Sequence, residues 1–473
     1  MGSFTRYCAA AILLFGGAIV SPASGEPRLY DASRADQFLE PLAEDTVPED
    51  PAMRGIWAEN SAYNAALFGR PAVLTYTQMH AQAVDETSAL YVGFNRFSHG
   101  RDLAGPGYKP FKTPNADTLY SNAYLDLSSG PVLITVPPTN GRYYTLNFLD
   151  LFGNATNISA RTHGTDGGTY LIATTDWGGE VPDGAELFRV TQQYMWILMR
   201  VEVEDREELP AVRALQDSFT ISPRLNSASS RPFPQPAEMD DPAAFLRVLD
   251  WIVEEAGVRI GEAALVHGFR GLGVGGPMSV EQALEDPVIA QAASRGFERA
   301  NRFAETIKTQ NGAMIGGWRE PFDIGRYGYN YNYRAGVHSL GLGANVRLEN
   351  YAYTTFIDAD GNMLDGSEGA YSLKLDSVPP SEFFWSVTVY DRTTQELHPN
   401  TEDKYLVSSN TRGLVVSEDG SVTITFSRDG SGPNAISIPA GPFYLALRAQ
   451  GPSREMREGI WRPSPVRLIA GTE

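Results

Sequence analysis

Apolar and polar positions along this chain switch period three times. From Ala72 to Tyr91, AVLTYTQMHAQAVDETSALY keeps one apolar face at intervals of three and four residues, which predicts a helix. Asp31 and Ser33 are N-cap candidates for the helical stretch that leads into it. The Gly- and Pro-rich segment from Ser98 to Asn122 breaks that pattern, and alternation takes over. AYLDL, GPVLITV, YYTLNFLD, TYLIAT and FRVTQQYMWILMRVEV predict short strands in the manner of a sandwich or jelly roll. Beyond Val203 the helical period returns in PAVRALQDSFTI, DPAAFLRVLDWIVEEAGV and the run from Ser279 to Asn311, with Asp241 and Ser279 as caps. SASSRPFPQPAEMDDP, residues 227–242, predicts a linker or exposed loop. From Tyr327 aromatic strands resume and run nearly to the C-terminus.

The two β stretches repeat one another. Gly130 to Asp150 reads strand, Val136-Pro137-Pro138, aromatic strand, aspartate; Tyr371 to Asp391 reads strand, Val378-Pro379-Pro380, aromatic strand, aspartate. Proline cannot donate to a sheet ladder and aromatic residues fit its pleat, so each copy predicts two strands joined through a stiff turn. The expected fold class is mainly β with α: two jelly-roll-like β-sandwich domains separated by a helical region. The boundaries read as a signal peptide over 1–25, an N-terminal helical segment over 26–90, a first sandwich over 91–205, a helical region over 206–325 and a second sandwich over 326–473.

Composition adds the setting. Arg6, the apolar run from Cys8 to Val20 and the small residues Ala23-Ser24-Gly25 form a secretory signal pattern with cleavage expected after Gly25. A periplasmic or secreted protein follows, with no transmembrane segment after cleavage, since no later stretch is apolar enough to span a bilayer. Cys8 is the only cysteine, so the mature chain has neither disulfides nor thiolate chemistry. A formal charge of −19 disfavours nucleic acid and anionic membrane surfaces. The 46 Gly and 31 Pro fit many short strands joined by tight turns.

The run TPNADTLYSNAYLDLSSGPVLITVPPTNGRYYTLNFLDLFGN, then ARTHGTDGGTYLIATTDW, resembles domain of unknown function 1254. DADGNMLDGSEGAYSLKLDSVPPSEFFWSVTVYDRTTQELHPN, then EDGSVTITFS and GPFYLALR, is similar to its C-terminal companion, domain of unknown function 1214. The resemblance implies two jelly-roll-like domains around a helical region in an exported bacterial protein. It also implies, for some relatives, a metal-assisted hydrolase of alkyl sulfate esters. Where the family has an Asn-Trp-Leu-Pro turn, this chain has Asn434-Ala435-Ile436-Ser437-Ile438-Pro439, which puts the family's substrate range in question.

Candidate chemistry is dispersed. Asn115, Asp117 and Tyr120 form an oxygen-rich cluster suited to a hard cation or to orienting an ester, or else Asx turns that satisfy loop backbone. Arg142 offers a donor fork for sulfate, phosphate or carboxylate, with Tyr143 beside it as a substrate contact; the alternative is an ion pair with Asp150 that fixes neighbouring strands. Asp150 at a strand end, with Asn154 after it, is a second metal or base candidate. Arg161 and His163 supply another guanidinium and an imidazole able to transfer a proton, against the plainer reading of a surface-loop histidine. His80 and His99 are further imidazoles for long-range convergence, with His338 and His398 behind them.

Other motifs weigh against familiar sites. Asp358-Ala-Asp360-Gly361-Asn362 begins like a calcium loop but has Gly369 at its twelfth position, so a hairpin is expected, as at Asp419-Gly420. The glycines at 271, 273, 275 and 276 follow no strand and predict a flexible loop between helices rather than a nucleotide site. Neither Gly-x-Ser-x-Gly nor His-Glu-x-x-His occurs.

Two functions fit. The first is an exported hydrolase of a small anionic ester such as an alkyl sulfate, with Asp117, His163, Arg142 and Arg161 catalytic, Asn115, Tyr120, Tyr143 and Asn154 binding substrate, and a divalent metal on Asp117 and Asp150. The second is a non-catalytic envelope protein binding a glycan or apolar ligand, with Tyr327, Tyr329, Tyr331, Tyr333, Tyr351 and Tyr353 as a platform. Substrate, metal identity and homo-oligomer formation stay open.

Overall fold

In the computed structural model, which describes residues 47–108, 112–223 and 229–469, two β units take up most of the chain. The signal segment and the caps expected at Asp31 and Ser33 lie outside the described residues. The first unit contributes β1 (Ser98–His99), β2 (Thr118–Asp126), β3 (Val132–Val136), β4 (Tyr144–Asp150), β5 (Ala155–Ser159), β6 (Gly168–Thr174), β7 (Ala185–Val190), β8 (Tyr194–Glu202) and β9 (Thr220–Ser222). The second contributes β10 (Gly312–Ile315), β11 (Trp318–Pro321), β12 (Asn350–Thr355), β13 (Ala370–Leu375), β14 (Trp385–Asp391), β15 (Leu406–Ser408), β16 (Val422–Ser427), β17 (Ala435–Ser437), β18 (Phe443–Gln450) and β19 (Arg467–Ile469).

The units share one topology. The first has sheets β1-β2-β8-β4-β5 and β7-β6-β3-β9; the second has β10-β11-β12-β18-β14-β15 and β17-β16-β13-β19. Adding ten to each strand number of the first unit reproduces the second, with β10 as one extra edge strand. The parallel pairs correspond as well, β6 with β7 and β16 with β17. Each Val-Pro-Pro carries the chain from one sheet to the other, from β3 to β4 and from β13 to β14, so it makes a corner between layers and not a hairpin.

Alternation along the strands fills each sandwich. Leu146 and Phe148 of β4, Ile197 and Met199 of β8, and Ile134 and Ile172 from the facing sheet share one core. Val387, Val389, Leu445, Leu447, Leu373 and Ile424 do the same in the second unit.

Helices cover the other face of the first sheet. Pro51–Met79 starts at Asp50, whose carboxylate accepts from Met53 N, and continues as a π turn to Val84, so the helix predicted through Tyr91 ends early. Pro287–Ile307 packs along it, and Gly296 allows the approach, since a Cβ there would lie 2.5 Å from Glu59 O. Helical runs on either side of the first sandwich in sequence thus make one bundle, seated on Tyr124, Tyr194 and Trp196. Asp241 and Ser279 cap their helices through Ala244 N and Gln282 N.

Several expectations change. The run from Phe188 to Val203 is two strands with a break at 191–193. Tyr331–Leu340 is a helix opened by the Asn330 side-chain Oδ1 accepting from Tyr333 N, so the alternating tyrosines before Gly336 are no strand face. Tyr351 and Tyr353 are core residues of β12, which leaves the six tyrosines without a common platform. In the segment read as a linker, the half-buried Phe233 packs with its ring centre 4.8 Å from that of Trp251, against the helical core. The glycine-rich loop is packed, not loose: Gly273 has φ +83°, and a Cβ there would meet Val280 N at 2.4 Å. The stretch at 358–362 is a turn, its Asp358 carboxylate accepting from Asp360 N and Asn362 N.

Candidate functional site

The outer face of a sandwich sheet is ordinarily polar because water solvates it. In this chain the outer faces of the two larger sheets are buried, the first largely under the helices, and at one end polar residues of both units meet in a seam. Register relates the two sides. Thr145 of β4 faces Arg200 of β8, and Ser386 of β14 faces Arg448 of β18. Thr118 faces Glu202, and Asn350 faces Gln450, so Asp117 and Glu349, each one residue earlier, are equivalent. Their carbonyls accept from equivalent amides, Val203 N and Gly451 N. Tyr143 and Phe384 are equivalent too, their carbonyls accepting from Glu202 N and Gln450 N. These two rings meet edge-on at 5.7 Å, and equivalent residues touching one another mark an approximate two-fold relation between the units.

One half of the seam centres on Asp117. The loop before it is tied to the second unit: Arg448 donates to Thr113 O at 2.9 Å and to the Tyr390 hydroxyl at 2.8 Å, and Tyr390 donates to Pro114 O at 2.6 Å. Asn115 N donates to the Tyr120 hydroxyl, and Arg200 lies over the Tyr120 ring. Asp117 is buried, and among the described residues its Oδ1 has no hydrogen-bond partner, nor do Thr118 Oγ1, Ser386 Oγ and Thr388 Oγ1. Burial pushes the Asp117 carboxyl up, and the nearby Ser386 hydroxyl and Arg448 guanidinium offset only part of that.

The other half centres on Glu349, which has no exposed surface. Its Oε2 accepts from Arg161 Nε at 2.8 Å and Ser159 Oγ at 3.0 Å, both from the first unit. Burial raises this carboxyl as well, with Arg161 as the chief opposing influence. The two Nη nitrogens of Arg161 make no hydrogen bond among the described residues. Arg161 lines a cleft of about 580 Å³ whose other walls include Leu348, Pro380, Pro452 and Arg457, with Glu382 as the carboxylate. A half-free guanidinium fork beside apolar surface suits an anion with an apolar tail.

The structure gathers Asn115, Asp117, Tyr120, Arg142, Tyr143 and Arg161 at one end of the first sheet and places Asp150 and Asn154 at the other. Arg142 is committed to Glu202 O and to Glu208 at 3.0 Å, so the ion pair exists but its partner is not Asp150. Asp150 is buried in a turn, accepting from Asn154 N and Asn154 Nδ2. It faces Met195, whereas Asp117 bonds Val203; the eight steps along the chain from Met195 to Val203 put the two aspartates about 26 Å apart. A metal shared by Asp117 and Asp150 is therefore ruled out by geometry. Among the described residues no three His, Cys, Asp or Glu side chains gather as a metal site. His163 packs edge-on against Tyr170 and Phe188 of the smaller sheet, near Glu186, away from Asp117.

Sequence reading missed Glu349, Arg200, Glu202, Ser386, Arg448 and Asn410. Asn410 donates to Glu202 Oε1 at 2.7 Å across the seam. A signal was present: WILMRVE around Arg200 and YLALRAQ around Arg448 align once the repeat is extended to its last large strand.

Residues 94–223 match the family model described as a protein of unknown function (DUF1254), and residues 349–454 match the one described as a protein of unknown function (DUF1214). No curated protein matches the chain. In structure it is similar to the VPA0106 protein from Vibrio parahaemolyticus, with TM-score 0.69 and 21% identity over 87% of this chain and 100% of that one. An uncharacterized protein from Burkholderia cenocepacia aligns over 92% of this chain and 94% of its own with TM-score 0.43 and 14% identity. Among the described residues no helix is long and apolar enough to cross a membrane.

Proposed function

Since this chain belongs to the proteins that join a DUF1254 unit to a DUF1214 unit, here facing each other across one polar seam, we propose that it binds a small amphiphilic anion of the alkyl sulfate type at the cleft beside Arg161. The reading includes the exported setting expected from the N-terminal pattern. Its main support is Arg161 itself: Nε is fixed to a fully buried carboxyl, while both Nη groups remain available next to Leu348, Pro380 and Pro452. The anionic head would take the fork and Arg457, and the tail would cover the apolar wall.

Binding is favoured over hydrolysis because the nominated base and proton donor lie elsewhere, Asp117 buried in the opposite half and His163 against the smaller sheet. The glycan reading loses its basis with the dispersal of the tyrosines. Calorimetric titration with decyl sulfate and with decanol tests the proposal, alongside an assay for released sulfate. Saturable binding of decyl sulfate, weakened about tenfold or more by Arg161→Ala, is expected, with decanol binding far more weakly. Equal affinity for decanol, or no effect of the substitution, would overturn it.

A further inference from the structure

We propose that the groove between the two edges of the first sandwich is a separate binding site for a small aromatic acid. It does not depend on the cleft beside Arg161. Edge strands β1 and β9, with the loop before β1, enclose about 500 Å³ lined by Phe97, His99, Phe219 and Ile221 as ring and apolar surface and by Arg96 and Asp217 as charge.

Interior residues are dedicated to holding the imidazole. His99 Nδ1 lies 2.8 Å from Ser121 Oγ, and Gln216 Nε2 donates to that oxygen at 2.9 Å. Ser121 and Gln216 are both fully buried. The amide orientation of Gln216 follows from its neighbours: Nε2 faces Gly100 O and Tyr120 O, each at 3.2 Å, and carbonyls take only a donor. Ser121 thus accepts from Gln216 and has its own proton left for His99 Nδ1. We assign His99 the Nε2–H tautomer, a fixed donor at the groove. Burial lowers its pKa, which keeps the ring neutral near pH 7. Ser121 is inaccessible to a ligand, so the pair is not a nucleophile and its base; the serine orients the ring.

The remaining groups define the ligand. Phe97 stacks on His99 at 5.6 Å and 25°, and this half-buried ring pair gives the groove a flat wall that favours a ring over an alkyl chain. Asp217 is neutralised by its ion pair with Arg101. Arg96 is exposed and has no hydrogen bond or ion pair among the described residues, so it is the uncompensated charge of the groove. A flat ring bearing one carboxylate satisfies all three features at once.

Titration of the purified protein with 2-naphthoate and with its methyl ester, by calorimetry, tests this. One-to-one saturable binding of 2-naphthoate is expected, with affinity falling about tenfold or more in Arg96→Ala and in the ester. His99→Phe should weaken it too, and Arg161→Ala should leave it unchanged. Arg96 is at the surface, so its substitution leaves the fold intact and the result interpretable. No saturation at millimolar 2-naphthoate, an ester that binds equally, or an unchanged Arg96→Ala would overturn the proposal. So would loss of binding in Arg161→Ala.

Discussion

Asp117 and Glu349 occupy the same position in two copies of one sandwich, yet their partners differ. Glu349 receives Arg161, while Asp117 has no corresponding arginine, because Asn410 holds the place equivalent to Arg161. That equivalence follows from matching caps: Ser159 N donates to Thr162 Oγ1 and Ser408 N to Thr411 Oγ1, with Ser159 and Ser408 facing Thr145 and Ser386. One half of the seam therefore carries a guanidinium at the cleft, and the other buries its carboxyl beside Ser386 and Arg448.

Removing the buried carboxyl should expose what Arg161 owes to it. Glu349→Leu leaves Arg161 Nε and Ser159 Oγ without their acceptor, and a loss of about 2–4 kcal/mol in unfolding free energy is expected. Arg161 is partly solvated, which places the effect below that of a fully buried pair. Urea denaturation measures it, and a change under about 0.5 kcal/mol would show that the pair contributes little net stability.

Asp117 predicts a pH signature. Burial raises its folded pKa above the unfolded value, so its contribution is fully present below the ordinary aspartate range and is lost as pH rises through the folded pKa. Asp117→Asn keeps a neutral group there. Its melting temperature should gain on wild type as pH rises above the ordinary aspartate range. Parallel curves above that range would mean that the carboxyl is not perturbed.

Gly153 joins the turn after β4 to the helix Tyr331–Leu340. Its φ is +81°, and a Cβ would lie 1.9 Å from His338 Nε2. Gly153→Ala should cost about 2–5 kcal/mol from backbone strain and overpacking together. Adding His338→Ala should recover part of that cost, giving a double-mutant coupling of roughly 1 kcal/mol or more. Strict additivity in chemical denaturation would contradict the contact. His338 is buried and its pKa is pulled down to about 4 by desolvation, so it remains neutral near pH 7.

Tyr143 and Phe384 hold the centre of the two-fold relation. Tyr143→Ala and Phe384→Ala should each cost about 3–5 kcal/mol, with the pair non-additive because the rings share one contact. Calorimetric melting also reads cooperativity: a split into two transitions in either variant would mean that the rings couple the units. A single transition with additive losses would assign the coupling to the polar seam.

Legibility followed the range of the interaction. The Val-Pro-Pro repeat announced the duplication because proline and alternating apolar residues act within a few positions of the chain. The same locality exposed the helices capped by Asp241 and Ser279. Phe233 was read as loop because proline and serine surround it, although its ring packs on Trp251, a contact that local composition cannot describe. Tyr331 and Tyr333 looked like a strand face until the cap at Asn330 put them on a helix.

The candidate site shows the same division. Asp117 and Arg161 were conspicuous as polar residues in strand-flanking loops, but Asp150 and His163 were equally conspicuous and lie elsewhere.

By itself, the order of residues determined that two like sandwiches form, with helical runs before the first and between the two, since burial patterns and turn chemistry are properties of short segments. Only the tertiary structure decided that those sandwiches meet through their polar faces, setting Glu349 on Arg161 and leaving Asp117 against Ser386. The physical reason is that a strand's outward residues carry no mark of whether water or another sheet will cover them. That outcome depends on how segments more than 180 positions apart, such as Arg161 and Glu349, are brought together.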